Sequence, residues 1–192
     1  MVLRSTLLPA LMTLLAVGCS SHAAESESTS MLPTADLSAL STLAGAQGIH
    51  NLAYHGPKLW TAGQLSEEQL MALGAAGMDL FISLRLDNEN GAGGEEMQFQ
   101  DQPGHFVRLP VAGKQGITFD NARLLAELLA AHADETVTVY CGSSNRVGAL
   151  FALMAYDIDG LSGEQAIDIG VAHGLSSLKP LVRELLELPA AP

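Results

Sequence analysis

Basic residues are scarce in this chain. Nine Lys and Arg stand against 21 Asp and Glu, for a formal net charge of −12 at pH 7. Such a balance repels phosphate backbones and anionic lipid, which argues against nucleic-acid binding and against adsorption to a charged membrane surface. It also repels highly charged anions at long range, so any anion site must be local. The six histidines include no pair with metal-ligand spacing, so neither a metal nor another cofactor is expected. The apolar run Leu7 to Val17 is too short to span a bilayer as a mature helix. No repeat recurs at solenoid periods. Cysteine is almost missing, with two in 192 residues. What remains is a chain that is 48% apolar and 16% charged, the composition of one globular domain with a real core.

The short apolar run instead suits an export signal. Arg4 supplies a positive start, and Leu15-Ala16-Val17-Gly18-Cys19 resembles a bacterial lipobox, with Ala16 where leucine is usual. Residues 1–19 are therefore expected to be a signal peptide, with Cys19 lipidated; plain secretion with cleavage near Ala23-Ala24 is the alternative. Ser20 after the cysteine leans towards the outer membrane. The expected location is exported, periplasmic or outer-membrane, with the membrane met only through this anchor. If Cys19 carries lipid, Cys141 has no disulfide partner in the chain. An unpaired cysteine in an oxidising compartment is either buried or used.

Residues 20–48 are rich in Ser, Ala and Glu and read as a tether, with a weak helical stretch around Asp36 to Leu43. Residues 49–188 read as the folded domain. His50–Tyr54 and Lys58–Ala62 are predicted strands around a His55-Gly56-Pro57 turn. Ser66 to Gln69 is a capping box that opens a helix ending near Gly77. Asp79–Arg85 and His105–Val111 are further strands, separated by a Gly-rich acidic loop from Asp87 to about Glu96. Thr118 caps a helix, Thr136–Tyr140 is a strand, and Ser162 to Gln165 is a second capping box. Gly174 marks a stop before a last amphipathic helix from Leu178 to Leu186. Strands alternating with helices predict an α/β sandwich around a central, largely parallel sheet flanked by helices.

Between the strand ending at Tyr140 and the helix beginning at Val147 lies Cys141-Gly142-Ser143-Ser144-Asn145-Arg146. A strand, a short polar loop and a helix gather backbone N–H groups at the positive end of a helix dipole, which suits an anion. The same field stabilises a thiolate, and an arginine adds a planar fork of donors. The loop thus reads as a covalent-cysteine active site, with Cys141 as nucleophile and Arg146 holding an oxyanion. Gly142, Ser143, Ser144 and Asn145 would offer N–H groups. The plainer alternatives are a buried small hydrophobe, a structural salt bridge and a capped helix.

Across residues 50–186 the chain resembles the beta-lactamase-hydrolase-like phosphatase family, a bacterial branch of the tyrosine and dual-specificity phosphatase superfamily. The resemblance rests on Thr61-Ala62-Gly63-Gln64, Ala75-Ala76-Gly77 before Ile82-Ser83-Leu84-Arg85, Leu109-Pro110-Val111 with Gly116-Ile117-Thr118, and Tyr140-Cys141 through Arg146 to Leu150. It implies a phosphatase-type α/β fold, a small phosphate-ester substrate, Cys141 as nucleophile through a phosphocysteine, and Arg146 as the anion-binding arginine.

Two departures stand out. Four residues separate Cys141 from Arg146 where tyrosine phosphatases have five, a spacing shared with rhodanese-type sulfurtransferase loops that carry a persulfide and take a sulfur donor. The loop Ala112-Gly113-Lys114-Gln115-Gly116 has no carboxylate where phosphatases supply a general acid. Asp87, Glu89, Glu95 or Glu96 could serve only if their loop folds over the site. Arg85 either borders the pocket or fixes that loop by an ion pair with Glu95 or Glu96. His105 and His173 are expected in packing or on the surface. A sulfurtransferase and a non-catalytic anion-binding envelope module are the competing readings.

Overall fold

The structure is a computed structural model and describes residues 42, 48–100 and 104–189. The export signal, Cys19, nearly all of the tether and the Asp36–Leu43 stretch apart from Thr42 lie outside the described residues. Among the described residues five strands form: β1 (Ala53–Tyr54), β2 (Leu59–Ala62), β3 (Leu80–Ser83), β4 (His105–Arg108) and β5 (Val137–Tyr140). Their order in the sheet is β1-β2-β5-β3-β4. β2, β5, β3 and β4 run parallel, and β1 returns antiparallel to β2. Val139 of β5 stands in register between Thr61 and Ile82. All four β5 residues are buried, as a strand covered on both faces requires.

Alternation along β5 assigns the two faces. Val139 and, just beyond the strand, Cys141 pack with Ile82, Leu84 and Leu150. Tyr140 packs with Trp60, Leu70, Leu73 and Phe81 on the other side. Helix α1 (Glu67–Ala75) supplies Leu70 and Leu73 to the second cluster; α3 (Phe119–Ala131), α4 (Asn145–Asp157), α5 (Gly163–Ala172) and α6 (Lys179–Leu185) cover the first. Both expected capping boxes form: Ser66 with Gln69, and Ser162 with Gln165. Thr118 caps α3 through the Asn121 N–H.

The strands are shorter than the sequence suggests, for reasons visible at their ends. β4 stops at Arg108 because Pro110 has no N–H to continue the ladder, although Leu109 and Val111 still donate to Ser83 and Leu84 carbonyls at 2.9 and 3.1 Å. β3 stops before Arg85, whose side chain is taken by Glu95. The acidic loop runs into one helical turn, α2 (Glu95–Gln98).

α4 and α5 pack unusually close, through two glycines. A methyl on Gly148 would lie 2.1 Å from the Leu175 backbone nitrogen, and one on Gly170 would lie 2.7 Å from the Gly148 carbonyl. This close approach seats residues 173–178 beside the loop that starts α4.

Candidate active site

The parallel strands all end on one side of the sheet, and the cysteine loop leaves the end of the central one. Crevices at such strand ends are where open α/β sheets bind ligands. Cys141 follows β5 directly, is 1% exposed and has a free thiol. The Gly142 carbonyl accepts from the Gln64 N–H at 3.2 Å, and the Ser143 carbonyl from Asn51 Nδ2 at 3.0 Å. With those carbonyls turned away, the N–H groups of Gly142 and Ser143 have no acceptor among the described residues.

Ser144 makes the turn. Its φ is +62°, in the left-handed region, a conformation disfavoured for residues with a side chain. Its Oγ does not cap α4 but donates to the His173 carbonyl at 3.0 Å. Gly174 lies so close that a methyl there would come within 2.5 Å of the Ser144 Cβ. Asn145 clamps the same segment: its Oδ1 accepts from the Ser176 N–H at 2.8 Å, and its Nδ2 donates to Ser177 Oγ at 2.6 Å. The loop is therefore held in a strained shape by the segment after α5.

Arg146 reaches back over the loop, so that a methyl on Gly142 would lie 3.7 Å from its Nη2. Its Nη1 donates to the Leu84 and Val111 carbonyls at 3.2 and 2.9 Å, at the ends of β3 and β4. The outer edge of its fork is bidentate to Glu89, at 2.5 and 2.6 Å. Burial works against the Arg146 charge, but Glu89 and Cys141 outweigh it and its pKa is raised. The hydrogen bond from Arg146 holds the Glu89 carboxyl below its ordinary pKa, helped by the Leu86 N–H. Gly142, Ser143, Asn145, Arg146, Glu89 and Lys114 line a pocket of about 450 Å³.

The loop that carries Glu89 is fastened by two arginines. Arg85, 2% exposed, pairs with Glu95 at 3.5 Å and donates to the Asn90 carbonyl. Arg108 bonds Glu96 Oε1 at 2.5 Å, lies 3.2 Å from Glu95, and donates to the Arg85 and Ala92 carbonyls. Arg85 fixes the loop through Glu95 and Asn90 and is not among the residues that line the pocket, although its Nε lies 3.6 Å from Glu89 Oε2.

Three of the four expected acid candidates lie away from the pocket. Asp87 is exposed and 3.9 Å from Arg108. Glu96 is bound to Arg108, whose hydrogen bond lowers its pKa. Glu95 is buried beside Ser83 and Tyr140, on the sheet face opposite Cys141. Burial raises its pKa, so the one candidate shifted towards the protonated form is the one a substrate does not meet. Glu89 alone reaches the pocket, as a carboxylate committed to Arg146.

No protein-family model matches the sequence, and no curated protein matches it either. Solved structures do match. One is a candidate phosphatase of the DUF442 group from Shewanella putrefaciens CN-32, with a TM-score of 0.59 and 18% identity, covering 76% of this chain and 96% of that one. Tk-PTP in its active form gives 0.52 and 16%, covering 71% and 95%. A candidate phosphatase from Neisseria meningitidis Z2491 gives 0.53 and 17%, covering 66% and 92%. The fold is the one these phosphatase structures share.

Gly142, Ser143, Asn145 and Arg146 line one pocket, and Cys141 is buried next to them at the end of β5. Ser144 is buried and shapes the loop from behind. His173 is buried in packing, stacked between His55 and Phe151, and His105 is exposed. Sequence reasoning missed Lys114, Leu86 and Leu178 in the pocket wall. Only Lys114 carried a signal, as the cation in a loop already marked by its lack of a carboxylate. A larger concavity of about 810 Å³ lies beside α6. Its arginine, Arg183, is bidentate to Glu164 at 2.7 and 2.8 Å.

Proposed function

We propose that this protein is a cysteine-dependent phosphatase that cleaves a phosphate monoester through a phosphocysteine, in the beta-lactamase-hydrolase-like branch of the superfamily. The observation that carries this reading is Arg146, whose fork lies beside Gly142 in the pocket that follows Cys141 and already holds an anion there, the Glu89 carboxylate. In the proposed reaction the Cys141 thiolate attacks phosphorus and the ester P–O bond breaks, its electron pair leaving with the oxygen. Water then attacks phosphorus, the S–P bond breaks with its electron pair returning to sulfur, and the proton of water passes to the released phosphate. Arg146 and the N–H groups of Gly142 and Ser143 hold the non-bridging oxygens, where charge concentrates. A carboxylate bidentate on a guanidinium presents the same pair of acceptors as a bidentate phosphoryl group. Substrate binding on this reading exchanges the Glu89 anion for another.

The test is phosphate release from aryl phosphates, run beside thiocyanate formation from thiosulfate and cyanide. Wild type is expected to release phosphate and to yield an acid-trapped phosphoprotein whose label maps to Cys141. Cys141→Ser is expected to abolish both. Thiocyanate without phosphate would overturn the reading in favour of sulfur transfer.

We also propose that the protein is exported and anchored through Cys19, on the strength of the lipobox-like run. The full chain in a Gram-negative host is expected to fractionate with membranes, and Cys19→Ala to release it. An unprocessed Met1 terminus in soluble cytosol would overturn this.

A further inference from the structure

Three charged side chains line the pocket: Glu89, Lys114 and Arg146. Two of them are spent on each other. Lys114 has no ion pair and no side-chain hydrogen bond among the described residues, a state it shares with Lys179 at the start of α6, whereas Lys58, Arg85, Arg108, Arg123, Arg146 and Arg183 all hold carboxylates. In a chain with a net charge of −12, an unneutralised cation at a pocket rim is a local exception.

Its position is built. The turn that carries it is closed by Gly113 N–H to the Val111 carbonyl at 3.0 Å, Gly116 N–H to Ala112 at 2.9 Å and Ile117 N–H to Lys114 at 3.2 Å. Asn121 Nδ2 adds a bond to the Gly116 carbonyl at 2.8 Å. A methyl on Gly116 would lie 2.4 Å from the Ala112 nitrogen, so the turn is too tight for another residue there. The Val111 carbonyl at its root is the one that accepts from Arg146. The backbone that carries the exposed Lys114 side chain and the anion fork are thus tied to one corner.

The pocket therefore offers a departing oxygen a positive charge, and its one carboxyl group, Glu89, is an ionised partner of the Arg146 fork rather than a positioned acid. Bond cleavage to an alkoxide needs a proton in the transition state, which a positioned acid supplies. Cleavage to an oxygen stable as an anion does not, and gains from a nearby cation. Resting on the phosphatase reading above, we propose that the substrate's leaving group departs as a stable oxyanion, phenolate-like or acyl- or phosphoryl-like, and that Lys114 is the specificity-determining residue that meets it. Alkyl phosphates are excluded as good substrates on this view. The P–O bond breaks with its electron pair on the departing oxygen, which leaves unprotonated beside the Lys114 ammonium and takes a proton later from solvent.

The experiment measures kcat/KM for substituted phenyl phosphates of graded phenol acidity, with acetyl phosphate, pyrophosphate and glycerol phosphate as further arms. The expected result is a steep fall in kcat/KM as the phenol becomes less acidic. Glycerol phosphate should trail the most reactive aryl phosphate by at least ~10², the low end of what a missing general acid costs. Lys114→Met should lower kcat/KM for the poorer phenols at least about fivefold and steepen the slope further; Lys114→Arg should restore it. Preference for the aryl arm or for the acetyl phosphate and pyrophosphate arms tells which source of oxyanion the site is shaped for. A shallow slope, or glycerol phosphate turned over as fast as aryl phosphates, would overturn the proposal while leaving the phosphatase reading intact. An unchanged slope in Lys114→Met would overturn the role of Lys114. No phosphate from any arm would overturn the underlying reading, and the proposal with it.

Discussion

Arg146 is held on its inner side by two backbone carbonyls and on its outer side by a carboxylate, and the two holds differ in kind. The carbonyls of Leu84 and Val111 belong to the sheet ends and cannot leave. Glu89 is a side chain on a loop and can. If Glu89 competes with an incoming oxyanion, Glu89→Gln should tighten inorganic phosphate binding several-fold, because an amide matches the carboxylate in shape without its charge. Product-inhibition constants for phosphate would measure this, and weaker binding would mean that Glu89 chiefly aligns the fork. Arg146→Lys should weaken phosphate binding in either case, since a point charge cannot replace a planar fork. The Glu89 hold on this fork was not legible in the sequence. Four carboxylates between Asp87 and Glu96 looked equivalent there, and only the folded loop chooses among them.

The elements differ in how much of themselves the sequence disclosed. Ser66 with Gln69, Thr118 with Asn121, and Ser162 with Gln165 each satisfy an N-cap within three or four residues, so the signals are local and readable. The α4 start is the exception. Ser144 sits in the left-handed region and spends its hydroxyl on His173, 29 positions on, which no local pattern reports. Gly148 is a similar case: mid-helix it reads as a weakness, yet it is the contact that lets α5 approach. Gly148→Ala should destabilise by roughly 1–3 kcal/mol, as overpacking does, despite the better helix propensity of alanine, and a fall in the urea midpoint would measure it. Alkylation of Cys141 in the same variant should also change, because the segment displaced by Leu175 is the one that fastens Ser144 and Asn145. Arg85→Met should cost about 3 kcal/mol, the low end for stranding a buried charge, since Arg108 still reaches Glu95. Gain of stability in that variant would mean that the Arg85–Glu95 pair costs more to bury than it returns.

At the scale of the whole molecule, two histidines 118 positions apart in sequence stack at 3.7 Å between β1–β2 and the end of α5. Burial, and then the neighbouring His173, lowers the His55 pKa from 6.5 to about 4; burial lowers that of His173 as well. The unfolded chain therefore binds more protons than the folded one below pH 6.5, and stability rises with pH through that window. It should be complete above pH 6.5 and decline as the pH falls towards about 4. The Glu89–Arg146 pair acts lower still, since a lowered carboxyl pKa keeps its contribution until more acidic pH. Urea midpoints between pH 4.5 and 7.5 would trace the decline, and His55→Gln should flatten it. The sheet order carries a different consequence. β5 is the last strand in the chain, yet it lies between β2 and β3 and joins them. Until residue 140 has been made, those two strands have open edges facing a vacant slot, and open edges invite pairing with other chains. A nascent or truncated chain ending before β5 should therefore be a target for chaperones and proteases rather than a half-formed domain, and the cysteine loop comes into being only with the closure of the sheet.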